Sequence, residues 1–366
     1  MANTLYKPEE RAIFALRELY RQSGYLPFKM SKFEEYDLYV RNKDFLVSDG
    51  IITFNDQSGR LLALKPDVTL SIVKNYQDTP GCTEKVYYNE NVYRPDKGTH
   101  EYKEIPQTGL ECLGDIGDHE LLEVLSLAAE SLAALAEDYV LDLSHLGITA
   151  ALLEEVGGDS DFNRQAMQYI GAKNAHELFR LCEEQGVPAE KLTALIGIYG
   201  PMESALATLK TLGNSERFNA SFAHLERLCG LLAQTPYAPH IRLDFSIVND
   251  MRYYNSFVFR GWLPGLPEGI LSGGQYDNLL HKLGKKGGAV GFAVYLDLLE
   301  QYCRADEPDI DVLLLYDDTT DPLALQQAVR ELSADGSRVS AQRSVPSKLR
   351  FGRQLSIREG RIAADG

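Results

Sequence analysis

The spacing of apolar residues divides the chain into segments of helical and extended character. Residues 8–24 place Ile13, Leu16 and Leu19 at the three-residue intervals that bring side chains onto one helical face. Gly24 follows, as is usual just past the end of a helix. This pattern predicts an amphipathic helix near the start of the chain.

The next segment alternates β-branched and aromatic residues with turn residues, which is typical of strands. The strand-like stretches are YDLYV, IITFND, GRLLALKP and KVYYNENVYR. Within ITFNDQSGRLLAL, the polar DQSG predicts the turn of a β-hairpin. Residues 119–137 are rich in Ala, Leu and Glu and predict a helix, after which residues 139–145 return to a strand pattern.

The pattern then becomes helical from residue 149 to about residue 235, before strand-like runs resume at IRLDFSIV and SFVFRGW. We therefore expect residues 1–148 and 236–304 to form one core domain, interrupted by an all-helical insertion at 149–235. Residues 305–366 predict a short α/β tail in which a strand, a helix and a second strand follow one another. The order predicts an α+β fold with an antiparallel sheet, because a doubly wound parallel sheet would alternate strand and helix throughout.

Composition narrows the class of protein. The chain has 366 residues and a formal net charge of -16, which argues against nucleic-acid binding. Five cysteines without C-x-x-C spacing or a Cys/His ligand pattern favour neither a disulfide framework nor a metal site. There is no apolar run of the ~18 residues that a membrane span requires, and the first residues lack a signal-peptide core. We expect a cytoplasmic protein that binds no metal.

Candidate chemistry lies first in two polar stretches. In LALKPDVT, Asp67 and Thr69 precede an apolar run and would either cap the helix that follows or contact a ligand. In QTGLE, Gln107 and Glu111 are four residues apart and therefore share one strand face, which would meet either a ligand or solvent.

Aromatic and basic residues mark three further stretches. Arg94 ends an aromatic strand in VYRPDKG. Tyr253 and Tyr254 stand together in DMRYYNSFVF, a pairing that suits a core at least as well as a ligand site. In SGGQYD, paired glycines allow close backbone approach beside Tyr276.

Taken in order, these stretches resemble the motifs of class II histidyl-tRNA synthetases over about residues 8–303. LALKPDVT is similar to that family's L-R-P-E-G-T, and VYRPDKG with QTGLECLG is similar to its motif 2, which ends in Q-L-G-x-E. IVNDMRYYNSFVF resembles the histidine-specific L-V-R-G-L-D-Y-Y, and SGGQYD resembles A-G-G-R-Y-D. AVGFAVYLDLL resembles motif 3. The resemblance implies a class II synthetase-like sheet flanked by helices.

The resemblance also implies a histidine-binding site. It places Asp67 and Thr69 at the α-amino group, Gln107 at the amino or carboxylate end, and Glu111 where it accepts a hydrogen bond from an imidazole N–H. The other implied histidine-binding residues are Arg94, Tyr253, Tyr254 and Tyr276.

Departures from the family pattern lie where ATP would be handled. Leu298 stands where motif 3 has an arginine, Tyr295 replaces a small glycine, and Asn249 replaces the histidine-specific arginine. Adenylate formation depends on positioned cations, and the loss of one positioned donor costs about 2.7–4 kcal/mol in the transition state. We therefore expect a histidine-binding protein with no catalytic residues of its own and no cofactor.

That combination resembles the regulatory subunits of ATP phosphoribosyltransferase, which are synthetase-like paralogues in histidine biosynthesis. The resemblance implies a short-form catalytic subunit as partner, feedback by L-histidine, and a homodimer within a hetero-oligomer. The dimer rests on analogy, because motif 1 lacks the family's proline at Ser31. Two alternatives remain: a divergent synthetase paralogue that activates an amino acid, and a histidine-sensing module for another protein.

Overall fold

The computed structural model describes residues 8–43, 46, 50–95, 101–248, 253–303, 308–358 and 361–364. Residues Ala12–Leu299 form one compact unit, and the described residues on either side of it belong to a second. The helices are α1 (Pro8–Gln22), α2 (Tyr36–Val40), α3 (Thr69–Asn75), α4 (Asp118–Leu135), α5 (Leu146–Val156), α6 (Ser160–Gly171), α7 (Ala175–Gln185), α8 (Glu190–Ile196), α9 (Met202–Leu209), α10 (Glu216–Leu232), α11 (Asp277–Lys282), α12 (Leu296–Cys303) and α13 (Pro322–Leu332).

Strands are distributed along the whole chain. They are β1 (Leu26–Pro27), β2 (Phe33–Glu35), β3 (Thr53–Asn55), β4 (Leu61–Leu64), β5 (Thr83–Pro95), β6 (Tyr102–Gly114), β7 (Val140–His145), β8 (Tyr199–Pro201), β9 (Ile241–Asp244), β10 (Phe257–Trp262), β11 (Leu271–Gln275), β12 (Gly288–Tyr295), β13 (Ile310–Leu315), β14 (Val339–Gln342), β15 (Phe351–Arg358) and β16 (Arg361–Ala364).

Nine strands form the main sheet in the order β1-β5-β6-β12-β11-β10-β7-β9-β8. Its pairs are antiparallel except for β1 with β5 and β7 with β9. The expected α+β class is confirmed, because helices flank a mainly antiparallel sheet instead of alternating with parallel strands.

Alternation along β6 gives the sheet two different faces. Leu110 and Cys112 are fully buried in a cluster that also contains Leu16 of α1 and Leu125 of α4. The intervening side chains, Glu111 among them, lie on the opposite face, because successive strand residues point to opposite sides. Helices α1 and α4 therefore pack on one face of the sheet. The opposite, polar face carries Glu111, and there Leu113 lies in a second apolar cluster with Leu70 of α3 and Leu279 of α11.

The predicted hairpin is confirmed. Strands β3 and β4 pair antiparallel, and β2 joins them in a separate three-stranded sheet. Asp56 Oδ1 accepts hydrogen bonds from the backbone N–H groups of Ser58 and Arg60, each at 2.9 Å. Gly59 has a φ of +81°, which glycine adopts without steric cost.

The segment expected to be all-helical differs in one respect. Helices α5 to α10 fill it, but the short strand β8 interrupts them and pairs with β9 at the edge of the main sheet. Buried residues of these helices, such as Phe162 and Leu225, belong to the same apolar cluster as Leu110 of β6. The division at residues 149 and 235 therefore remains a prediction.

The C-terminal unit contains a four-stranded sheet in the order β14-β13-β15-β16. Strand β13 is parallel to β14 and β15, and α13 contributes Ala328 to a small cluster with Leu314 and Ile357. The expected strand, helix and strand are present as β13, α13 and β14. Strands β15 and β16 were not predicted. Among the described residues, no helix is long and apolar enough to cross a membrane.

Candidate functional site

All eight residues predicted to bind histidine line a single small cavity on the polar face of the main sheet. The cavity has a volume of about 40 Å³. The predicted residues are Asp67, Thr69, Arg94, Gln107, Glu111, Tyr253, Tyr254 and Tyr276. Residues far apart in sequence thus converge on one site, and their role in histidine binding remains a prediction.

Glu111 lines this cavity and is only 2% exposed. Its Oε1 atom accepts a hydrogen bond from Thr69 Oγ1 at 2.7 Å, and its Oε2 atom accepts one from the Tyr276 hydroxyl at 2.6 Å. Burial raises the pKa of Glu111 to about 8, against the opposing effect of these two hydroxyls. A buried carboxylate of this kind favours a ligand that brings a hydrogen-bond donor.

Asp67 lies just before α3 and borders the cavity. Its Oδ1 atom accepts a hydrogen bond from the Leu70 N–H in the first turn of α3 at 2.8 Å, as the capping interpretation expects, although the residue at the N-cap position is Val68. Burial raises the pKa of the Asp67 carboxyl, while the Leu70 N–H and the Arg94 charge act in the opposite direction. Arg94 is itself held by a 2.7 Å hydrogen bond from its Nε to the Pro66 carbonyl.

Gln107 shares the strand face of Glu111, as its spacing predicts, and is 4% exposed. The alternative that this face meets solvent is therefore wrong for both residues. Gln107 Nε2 is buried and has no hydrogen-bond partner among the described residues. An unpaired buried amide costs free energy, so a ligand that accepts its hydrogen bond would recover that cost.

Three tyrosines cover the cavity. The Tyr253 ring lies 4.6 Å from that of Tyr254 and 5.6 Å from that of Tyr276, measured between ring centroids. The Tyr254 ring packs closely against β11, since a Cβ atom on Gly274 would approach Tyr254 Cδ1 to 2.5 Å. Glycine at position 274 is thus what admits the Tyr254 ring.

Asp277 fixes the segment that carries the tyrosine pair. Its Oδ2 atom accepts hydrogen bonds from Asn255 Nδ2 and Gln275 Nε2, each at 2.9 Å, and its Oδ1 atom accepts one from the Ala289 N–H at 2.8 Å. The Asp277 N–H donates in return to Asn255 Oδ1 at 2.7 Å. The final residue of SGGQYD therefore joins three segments beside the cavity, a role that sequence reasoning did not assign.

Sequence reasoning also missed some of the lining residues. Gly291 of β12 faces Glu111 directly, and a Cβ atom there would lie 1.8 Å from Glu111 Oε2. The close approach of glycine backbone to a buried carboxylate leaves only a weak signal in a single sequence. The remaining lining residues that were not predicted are Tyr88, Ser272, Phe292, Ala293 and Tyr295.

A second, larger cavity of about 620 Å³ adjoins the first. Its lining includes Arg94, Arg260, Trp262 and Leu298, the last at the position where motif 3 would supply a cation. Tyr295, the second departure from the family pattern, lines both cavities, whereas Asn249, the third, lies outside the described residues. Within the part of the chain that the structure describes, no group of three or more His, Cys, Asp or Glu residues is arranged to hold a metal ion.

Comparison with known proteins places this geometry in a family. A family model described as histidyl-tRNA synthetase matches residues 6–299. The chain belongs to the histidyl-tRNA synthetase family. One similar protein is the ATP phosphoribosyltransferase regulatory subunit of Bacillus cereus, which is 26% identical over 88% of this chain and 80% of its own length.

Two solved structures share the fold of this histidyl-tRNA synthetase family member. One is an ATP phosphoribosyltransferase regulatory subunit/histidyl-tRNA synthetase from Bacillus halodurans, with a TM-score of 0.74, 24% identity, and coverage of 93% of this chain and 91% of the other. The second is an ATP phosphoribosyl transferase (HisG:HisZ) complex from Thermotoga maritima, with a TM-score of 0.63 and 19% identity. It covers 79% of this chain and 97% of that chain.

Proposed function

We propose that this protein is a regulatory subunit of ATP phosphoribosyltransferase, which binds L-histidine and acts on a separate short-form catalytic subunit. Support comes first from relatives that carry this name over most of the chain, such as those of Bacillus cereus and Bacillus mycoides. The chemistry, which joins ATP to phosphoribosyl pyrophosphate, would take place on the partner in the cytoplasm. Histidine bound here would provide feedback on that reaction.

The observation that carries the proposal is the contrast between the two cavities. The small cavity keeps two buried carboxylates, Asp67 and Glu111, together with hydroxyl groups that suit an amino group and an imidazole. The adjoining cavity presents Leu298 where adenylate chemistry would use a cation, and Tyr295 stands at its border. The larger cavity still contains Arg94 and Arg260, but it lacks the motif 3 cation that adenylate chemistry would use at position 298. The small cavity keeps the groups that would hold an amino acid.

We also propose that the chain forms a homodimer before the catalytic subunit joins. Phe33 of β2 and Phe54 of β3 contact each other edge to face, with ring centroids 5.6 Å apart, and yet are 46% and 38% exposed. Neighbouring exposed aromatic rings on a small sheet favour burial against another surface. A second copy of the same sheet is the partner that the synthetase-like fold suggests by analogy.

Reconstitution tests the proposal. The purified chain is added to its short-form catalytic subunit, and formation of phosphoribosyl-ATP is followed with and without histidine. We expect no activity from this chain alone, a rise in activity when the two subunits are combined, and inhibition by histidine. The Glu111→Gln variant serves as the matched control, because it should activate the partner but respond to histidine only weakly. Failure to activate would overturn the proposal.

The competing function is that of a divergent synthetase, which family membership and the Arg94 guanidinium in the larger cavity favour. Histidine-dependent exchange of pyrophosphate into ATP separates the two functions, because only an adenylate-forming enzyme supports it. We expect no exchange above a protein-free control. Clear exchange by the wild type, and its loss in Arg94→Ala, would favour the synthetase function.

A further inference from the structure

The two cavities share a wall made mainly of aromatic side chains. Five residues line both of them: Arg94, Tyr253, Tyr254, Ser272 and Tyr295. Glu111 and Tyr276 line only the small cavity, whereas Leu298 and Trp262 line only the large one. The shared residues therefore act as a partition between an amino-acid-sized site and a much larger space.

The charges around the small cavity orient an amino acid within it. Asp67 and Glu111 supply the carboxylates, and Arg94 is the one Lys or Arg side chain among the described residues that line it. A zwitterion with an imidazole side chain would place its cationic and N–H groups toward the carboxylates and its own carboxylate toward Arg94. Because Arg94 belongs to the partition, the carboxylate end of the ligand would meet that wall.

Within the partition, Tyr295 is held in place by strand pairing in the main sheet. It lies opposite Gln107 in the pairing of β12 with β6, and its N–H donates to the Ile270 carbonyl at 2.8 Å. Residues two apart on a strand share a face, so Tyr295 points to the same side as Gly291, over the cavity. Because this pairing holds the strand, we expect rotation of the side chain to be the motion that moves the ring out of the partition.

We propose that Tyr295 determines ligand specificity by restricting the small cavity to amino acids whose carboxylate is free. The inference rests on the proposed histidine site and specifies which forms of histidine it accepts. A group attached to the carboxylate would have to extend past Arg94 into the space that the Tyr295 ring occupies. Free histidine ends at the partition, whereas a histidyl amide or peptide must cross it.

The volume of the small cavity agrees with this restriction. About 40 Å³ holds only about three or four water molecules, since each needs roughly 10–15 Å³ on this measure. Entry of free histidine therefore already requires the lining side chains to move apart. A ligand extended at its carboxylate would in addition require the Tyr295 ring to leave the partition completely, at a further cost in affinity.

The test compares L-histidine with the dipeptide L-histidyl-glycine, which keeps the amino and imidazole groups but extends the carboxyl end. Calorimetric titration of the wild type should give binding of histidine and about 100-fold or weaker binding of the dipeptide. In Tyr295→Ala the dipeptide should bind within about 10-fold of histidine, because the two cavities then join. Tyr295→Phe keeps the ring and should discriminate like the wild type.

Two controls keep the test decisive. Tyr199→Ala removes an exposed tyrosine outside both cavities and should leave both affinities unchanged. If Tyr295→Ala does not fold, Tyr295→Leu gives the same comparison with a smaller gap in the wall. Equal binding of both ligands by the wild type, or unchanged discrimination in both smaller variants, would overturn the inference.

The proposed function has a separate readout. Absence of histidine binding in the wild type and in Tyr295→Ala would overturn both the inference and the histidine assignment. Activation of the catalytic subunit would still be decided by its own assay. Histidine binding with normal activation, but without discrimination against the dipeptide, would overturn the inference alone.

Discussion

The buried carboxylate of Glu111 should make the protein less stable as pH rises through neutrality. Burial raises its pKa from 4.5 to about 8, so between these values the folded protein retains a proton that the unfolded chain has lost. The free energy of unfolding then falls by about 1.36 kcal/mol per pH unit. This contribution to stability is fully present below about pH 4.5 and is lost by about pH 8.

Substitution of Glu111 by glutamine removes that titration while keeping the shape of the side chain. The interval from 4.5 to pH 7 corresponds to about 3 kcal/mol, which local relaxation around the carboxylate would reduce. We expect Glu111→Gln to be about 2–3 kcal/mol more stable than the wild type at pH 7, and less than about 1 kcal/mol more stable at pH 5. Urea unfolding at pH 5, 6, 7 and 8 measures the difference.

The same substitution should lower the affinity for histidine. Above about pH 8, where the Glu111 carboxyl is ionised in the folded protein, loss of this charged hydrogen-bond partner costs about 1.5–3 kcal/mol, or about 10- to 150-fold in the dissociation constant by calorimetry. The exposed Glu203 provides the control, since Glu203→Gln should change neither quantity. A Glu111→Gln variant whose stability relative to the wild type is the same at pH 5 and pH 8 would refute the reasoning. Such a result would mean that the carboxylate is not held in a desolvated site.

Three further changes test individual features of the structure. Gly291→Ala should lower the free energy of unfolding in urea by about 1–3 kcal/mol and weaken histidine binding, because its Cβ would lie 1.8 Å from Glu111 Oε2. Gly230→Ala is the control: Gly230 has open space around it, so this change should not lower the free energy of unfolding. Phe54→Glu should halve the molar mass measured by light scattering, and an unchanged mass would exclude this sheet from the dimer contact. Asp277→Asn should lower the free energy of unfolding by about 1–3 kcal/mol in thermal unfolding and weaken histidine binding measured by calorimetry, because a carboxylate that accepts three hydrogen bonds becomes an amide. Unchanged stability together with unchanged histidine affinity would contradict the positioning role of Asp277.

The order of nearby residues was sufficient to predict the elements that a short segment of sequence specifies without help from distant parts of the chain. Residues 119–137 predict a helix, and the structure has α4 at Asp118–Leu135. The DQSG turn predicts a hairpin because its polar side chains bond to their own backbone, as Asp56 does. In both elements the signals that specify the local structure lie within a few residues of one another, although α4 also packs its buried side chains against the sheet.

Elements that depend on distant partners were not predictable in this way. Strand β8 has three residues within a helical region, and it is a strand only because it pairs with β9. The face of Gln107 and Glu111 is a similar case. Alternation shows that they share a face, but their burial depends on tyrosines 253, 254 and 276, which are distant in sequence. The site itself was predictable from the order of several motifs and not from any motif alone.

The two glycines that pack against the site, Gly274 and Gly291, have a physical explanation that does not involve a nucleotide. Gly291 leaves room for the Glu111 carboxylate, and Gly274 leaves room for the Tyr254 ring. Both requirements arise inside the small cavity, whereas Leu298 lines only the larger one. A protein that binds histidine without using ATP therefore still needs these glycines, but it has no need for a cation at position 298. Loss of the cation together with retention of the glycines is what a histidine-responsive subunit derived from a synthetase should display.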